Sequence, residues 1–160
     1  MRIHVGAVGR LKAGPERMLA ELYLERAVAL GRSAGIGPMS VAEIAESRAA
    51  TADLRIADEA VRLQTGMPDD AVTVALDGGG RDITSEEFAA LLGRWRDGGT
   101  AMLAFLIGGP DGLAPEIKAT AGYRLAFGRM TWPHRLARIM LLEQVYRSVT
   151  ILVNHPYHRM

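Results

Sequence analysis

The chain has 160 residues, 49% of them apolar, with 19 lysines and arginines against 18 acidic residues and no cysteine. That length and composition fit one soluble globular domain with a full core. The missing cysteines exclude disulfides and thiolate zinc sites and make a reducing, cytoplasmic setting the simplest expectation. Residues 1–12 lack the apolar stretch of a signal peptide, and no run approaches membrane-spanning length.

Arg2–Val8 is a run of strand length containing β-branched residues. Residues 15–30 have Leu19, Leu22 and Ala27 at helical spacing, with Gly31 as a stop. Met39–Ile44 reads as a weaker strand, and Ala52–Gln64 as a helix with Leu54, Ala57 and Val61 on one face. Residues 71–76 form a buried strand, ended by Asp77-Gly78-Gly79-Gly80. Thr84 and Glu87 make a capping box for a helix that runs through Trp95. Met102–Ile107 is the most apolar strand, and Gly108-Gly109-Pro110-Asp111-Gly112 ends it. Pro115 suits the first turn of a short helix. A short strand follows at 125–127, and the last helix spans 133–153.

This alternation predicts a single-domain α/β sandwich over residues 1–160 with a mostly parallel sheet. Neither a linker nor an internal repeat divides it. In the last helix, Leu136, Ile139, Leu142, Val145, Val149 and their apolar neighbours cover almost the whole circumference. Such a helix must be buried on more than one side. One face on the sheet and another on a second subunit is the economical solution, which predicts a homodimer, a deeply buried helix within one subunit being the alternative.

Charge is unevenly spread. Residues 1–113 hold 12 basic and 16 acidic side chains, and residues 114–160 hold 7 and 2. A basic final third is a footprint for nucleic acid or a phosphorylated ligand, set against a chance clustering of solvated arginines. The terminus adds His155, Tyr157, His158 and Arg159. Proton carriers and anion binders are rarely placed on a loose chain end for packing.

Glycines mark the strand ends at Leu76–Gly80, Gly108–Gly112 and Gly128. Ligands bind outside the carboxyl ends of strands in open α/β sheets, although tight turns alone also explain glycine there. These ends frame one candidate crevice, with backbone groups reading an adenine edge. Leu76, Met130 and Trp132 are candidate apolar walls, ordinary core packing being the alternative for the last two. The turns match neither GxGxxG nor a Walker loop. His134 opens the last helix, where the helix terminus disfavours an imidazolium and leaves a proton acceptor. Glu143 and Arg147, four residues apart, read as an ion pair. Without HExxH, GxSxG or clustered carboxylates, hydrolase and metalloenzyme readings have no warrant, and no metal is expected.

Val5-Gly6-Ala7-Val8-Gly9-Arg10-Leu11-Lys12, residues 106–113, Met130-Thr131-Trp132-Pro133-His134, Glu143-Gln144-Val145-Tyr146-Arg147 and Tyr157-His158-Arg159 carry a resemblance. Together they resemble the bacterial large-subunit ribosomal RNA pseudouridine N3-methyltransferase family of the SPOUT superfamily. The resemblance spans nearly the whole chain, with 31–67 matching only in pattern. It implies a C-terminal trefoil knot that binds S-adenosylmethionine in a bent pose, and an obligate homodimer. It further implies methylation at N3 of a pseudouridine in the helix 69 loop of 23S rRNA, on the assembled ribosome. Leu76, Gly109 and Gly128-Arg129-Met130-Thr131-Trp132-Pro133 match cofactor-binding positions, with Gly108 adjacent. His134, Tyr157, His158 and Arg159 match positions facing the RNA. His134 and His158 are candidates for the proton on N3, and Arg147 and Arg159 for holding phosphate or developing charge. Two rivals remain open at this stage. One is a non-catalytic ribosome- or RNA-binding module on the same fold, and the other an α/β enzyme for a small phosphorylated metabolite.

Overall fold

The computed structural model describes residues 1–157, so the expectations placed on His158 and Arg159 lie outside the described residues. In chain order the elements are β1 (Arg2–Val8), α1 (Pro15–Gly31), β2 (Met39–Ile44), α2 (Ala52–Gln64) and β3 (Val72–Asp82). Then come α3 (Ser85–Asp97), β4 (Met102–Ile107), α4 (Pro115–Thr120), β5 (Tyr123–Ala126) and α5 (His134–Leu152). The five strands form one sheet in the order β2-β1-β4-β3-β5, with every neighbouring pair parallel. Central β1 and β4 are buried almost end to end, as strands covered on both faces must be.

One face of the sheet presents Ile3, Val5, Val74, Leu103 and Phe105 to the buried residues of α1, α3 and α5. The other presents Ala75 and Leu106 to Leu63 of α2 and to Leu113, Ala114 and Ile117 around α4. The expected α/β sandwich is therefore present. Each fully buried leucine or phenylalanine in it contributes roughly 1.5–3 kcal/mol of transfer free energy.

Several local expectations are corrected. The glycine triplet does not end β3, which continues to Asp82 with a register break between Leu76 and Arg81 against β5. A Cβ on Gly80 would stand 2.8 Å from the Arg124 carbonyl, so glycine permits a close strand approach there. α1 runs into a short 3-10 turn, Arg32–Ala34, and Gly35 in the left-handed region stops it instead of Gly31. The buried faces of two helices also differ. Leu19 and Leu22 of α1 are exposed, and Ala20 and Ala27 face inward. In α2, Leu54 and Val61 are exposed, while Glu59 and Leu63 are buried with Ile56 and Ala60 beside them. Several apolar stripes at helical spacing compete on each helix, and the packing partner selects among them.

α5 needs more than one covered side, and most of that cover comes from its own chain. It lies between α1 and α3, against the sheet, with Ile139, Leu142, Val145, Tyr146 and Val149 in the main core. The stripe left open runs through Leu136, Met140, Glu143 and Arg147.

Candidate active site

The register break of β3 and the carboxyl ends of β4 and β5 open into a cavity of about 770 Å³. Its walls come from Leu76-Asp77-Gly78, from the turn after β4 and from the β5–α5 connection. All of the sequence-derived cofactor positions line it: Leu76, Gly108, Gly109, Gly128, Arg129, Met130, Thr131, Trp132 and Pro133, together with His134. Its lining is mostly backbone and apolar surface, with Asp77, Lys118, Arg129, Thr131 and His134 as the polar side chains. A Cβ on Gly108 would sit 2.5 Å from the Gly112 carbonyl oxygen, so only glycine lets this turn close on itself. Arg55 of α2 holds the turn from outside, donating two hydrogen bonds to Asp111 at 2.7 and 3.1 Å. The other wall is folded by the Trp132 indole N–H, which donates to the Phe127 carbonyl at 2.9 Å. Met130 is 73% exposed and Trp132 41%, so both are cavity wall and neither is core.

His134 is the first residue of α5, behind Pro133, and that helix end has no side-chain cap. The imidazole Nε2 is buried and has no hydrogen-bond partner among the described residues, with Glu46 Oε1 3.9 Å away. Burial holds its pKa below the ordinary 6.5; Glu46 pulls it up, and Arg135 and Arg138 push it down. The ring is thus neutral at neutral pH and offers a lone pair. Its position is set by Gly9, where a Cβ would come within 2.9 Å of Nε2.

One turn on, Arg138 is fully buried and ion-paired with Glu43 of β2. It also donates to the carbonyls of Val8 at 3.1 Å and Gly9 at 2.7 Å, while Glu43 Oε1 accepts from Leu11 N–H at 3.1 Å. Desolvation pulls the Arg138 pKa down and Glu43 raises it. The β1–α1 loop and the start of α5 are therefore one rigid frame beneath His134. Sequence reading passed over Arg138 and Glu43, yet a charge inside an all-apolar helix required a buried partner.

Arg147 and Tyr157 are not brought to this cavity within the chain. Glu143 accepts from Arg147 Nε at 2.9 Å and Nη2 at 2.6 Å, from Gln144 at 2.7 Å and from the Tyr157 hydroxyl at 3.2 Å. The Tyr157 ring lies 4.6 Å from Tyr146 and 5.1 Å from the Arg147 guanidinium. Burial, then the Glu143 charge, pushes the Tyr157 pKa up to about 12, so the phenol stays a donor. Asn154, His155 and Pro156 are exposed, but Tyr157 is held, against the expectation of a loose end. Beside this cluster, Glu143 and Gln144 border a smaller cavity of about 430 Å³ with Leu19, Tyr23, Phe127 and Gly128.

The basic final third is also narrower than its composition implied. Arg124 pairs with Asp77 at 2.5 Å, Arg135 with Glu16 at 3.8 Å, Arg138 with Glu43 and Arg147 with Glu143. Among the described residues, the side chains of Lys118 and Arg129 have no such partner, and both line the large cavity. Among the described residues there is also no helix long and apolar enough to cross a membrane and no group of three or more potential metal ligands.

The family model described as predicted SPOUT methyltransferase matches residues 1–158. A protein of Bradyrhizobium sp. strain ORS 278, named Ribosomal RNA large subunit methyltransferase H, is 52% identical over 99% of this chain and 98% of its own length. One of the same name from Rhodopseudomonas palustris strain BisB18 is 53% identical over 99% of each chain. The solved structure of a probable methylase family protein from Haemophilus influenzae Rd KW20 covers 99% of this chain and 70% of its own, with 11% identity and a TM-score of 0.48. A cavity built from glycine-bearing strand ends in a parallel α/β sheet, and a full-length family match, lead to one conclusion: the chain belongs to the SPOUT methyltransferase family.

Proposed function

We propose that this chain transfers a methyl group from S-adenosylmethionine to N3 of a pseudouridine in the helix 69 loop of 23S rRNA, on the assembled ribosome in the cytoplasm. The name shared by relatives 52–53% identical along the whole chain supports an RNA substrate of the large subunit. The observation that carries the site is the strand-end cavity, which gathers Leu76, Gly108, Gly109 and residues 128–134 on one surface. A cavity of about 770 Å³ suits a nucleoside-sized ligand. At Gly78, where the backbone takes an ordinary conformation, a Cβ would meet nothing within 4 Å. The fold does not require glycine there, and a ligand lying against the backbone does.

The sulfonium donor supplies an already activated methyl group. The chain's work is then positional: backbone and apolar walls hold the donor, and Met130 and Trp132 shield it from water. N3 carries a proton that must leave, and His134 Nε2, buried, neutral and without a partner, is its acceptor. A trefoil-knotted path is compatible with β5 pairing outside β3 and with the turn after β4 and the β5–α5 connection lining one cavity.

The working form is a homodimer. Met18, Leu19, Leu22 and Leu136 leave an exposed apolar surface on α1 and α5, contiguous with the open stripe of α5. In that assembly the tail of one subunit, with Arg147, Tyr157, His158 and Arg159, serves the RNA at the cavity of the other. The test is cofactor-dependent incorporation of labelled methyl into ribosomes and into free RNA. Incorporation into ribosomes at N3 is expected. Tight ribosome binding with no incorporation and no S-adenosylmethionine binding would favour the non-catalytic RNA-binding module.

A further inference from the structure

Lys118 stands on α4 next to Ile117, which is buried in the second face of the sheet and fixes the helix in place. Its side chain is half-buried and lines the strand-end cavity. It makes no hydrogen bond or ion pair among the described residues, whereas Arg124, Arg135, Arg138 and Arg147 all have carboxylate partners. A lysine that gives up part of its hydration without gaining a counter-ion is unfavourable for folding. Such a position makes sense where a ligand brings the anion.

The remaining charged groups of the cavity narrow the choice. Asp77 is already engaged by Arg124, with Nη2 at 2.5 Å and Nε at 3.1 Å. Arg129 is exposed on the same connection as Met130 and Trp132, at the rim where a large substrate approaches. Lys118 comes from a different segment, α4, which follows the turn that Gly108 closes. A small ligand entering the cavity meets it, while a polynucleotide docked at the rim meets Arg129 and His134.

We propose that the Lys118 ammonium binds the α-carboxylate at the amino-acid end of the methyl donor. This rests on the S-adenosylmethionine reading above. It gives the cavity a polarity: a cation fixes one end of the ligand, and the apolar walls and glycine-bearing turns take the nucleoside. Three ammonium hydrogens accommodate a carboxylate without demanding one geometry.

The test is calorimetric titration of the full chain, as Lys118→Met and Lys118→Arg, with two ligands. One is S-adenosylhomocysteine. The other is S-adenosyl-3-thiopropylamine, which keeps the nucleoside, thioether and ammonium but lacks the carboxylate. Lys118→Met is expected to weaken S-adenosylhomocysteine by about tenfold to a hundredfold, the range for a charge-assisted contact. It is expected to leave the decarboxylated ligand within about twofold of wild type, which also shows that the variant is folded. Lys118→Arg should restore most of the lost affinity. Equal weakening of both ligands, or no weakening of either, overturns the assignment. Unchanged affinity for both ligands with weakened ribosome binding would overturn it in favour of an RNA phosphate. If wild type binds neither ligand, the cofactor reading itself fails, an outcome distinct from a wild type that binds both and a variant that does not discriminate.

Discussion

Midway along α5, Glu143 collects hydrogen bonds from Arg147, Gln144 and Tyr157, while at the amino end the buried Nε2 of His134 has none among the described residues. Both positions carry a charged or titratable residue, and hydrogen-bond satisfaction separates them. A buried polar atom without a partner costs roughly 1–3 kcal/mol, and a fold retains one where something outside the chain completes it. The satisfied cluster anchors the tail. The unsatisfied imidazole lines the cavity, with its Nε2 tucked against Gly9 and Glu46. Arg138, one turn from His134, stands between the two: its terminal nitrogens are held by Glu43 and two backbone carbonyls, while its buried Nε has no partner among the described residues.

The comparison breaks first, and hardest, at Arg138. Arg138→Ala leaves Glu43 and the Val8 and Gly9 carbonyls without their donor, and is expected to cost about 3–5 kcal/mol. Thermal unfolding should show a midpoint lowered by roughly 10 °C; a shift of only a degree or two would mean that the pair adds little to the frame. Next in size is Glu143→Ala, which strips the acceptor from Arg147 and Tyr157. A loss of about 1–3 kcal/mol is expected, with faster proteolytic trimming of the tail. Unchanged trimming would show that the tyrosine stacking alone holds it.

His134→Asn should barely change stability at pH 8. Burial keeps the His134 pKa below 6.5, so protonation opposes the fold. Wild type therefore has its full stability above pH 6.5 and loses part of it as pH falls through the lower folded-state value. The asparagine variant should lack that part of the slope in denaturant titrations run across the acid range. Methyl transfer should nonetheless fall by about a hundredfold, the scale of a lost proton acceptor. Activity near wild type in the variant would remove His134 from proton transfer and leave it a positioning role.

The order of elements and the parallel sheet were legible from apolar runs and caps. Thr84 and Glu87 form their capping box, and Met102–Ile107 is the buried strand that its composition implied. The wrong faces of α1 and α2 have one cause: Leu19, Leu22, Leu54 and Val61 keep helical spacing on surfaces that nothing among the described residues covers. The glycine triplet after Leu76 was read as a stop because a strand that admits its neighbour at Gly80 and a strand that ends use the same residue. Lining residues of the cavity were legible because they cluster at strand ends. Lys118, Arg138 and Glu43 were not, since their meaning lies in which charges find partners across more than ninety residues, and sequence spacing carries no trace of that.

The clasp between the first helix and the last has a consequence for how the protein is made. α1 packs against α5, and the carbonyls of Val8 and Gly9 take their hydrogen bonds from a residue 130 and 129 positions later. During synthesis the amino-terminal strand and helix leave the ribosome long before their partner is translated. The core on that face of the sheet therefore closes only once α5 has been made, and a chain truncated anywhere before α5 has no way to bury it. Quality control is thus built into the order of the segments: a copy lacking α5 exposes its amino-terminal apolar surface, and a copy that has it hides that surface.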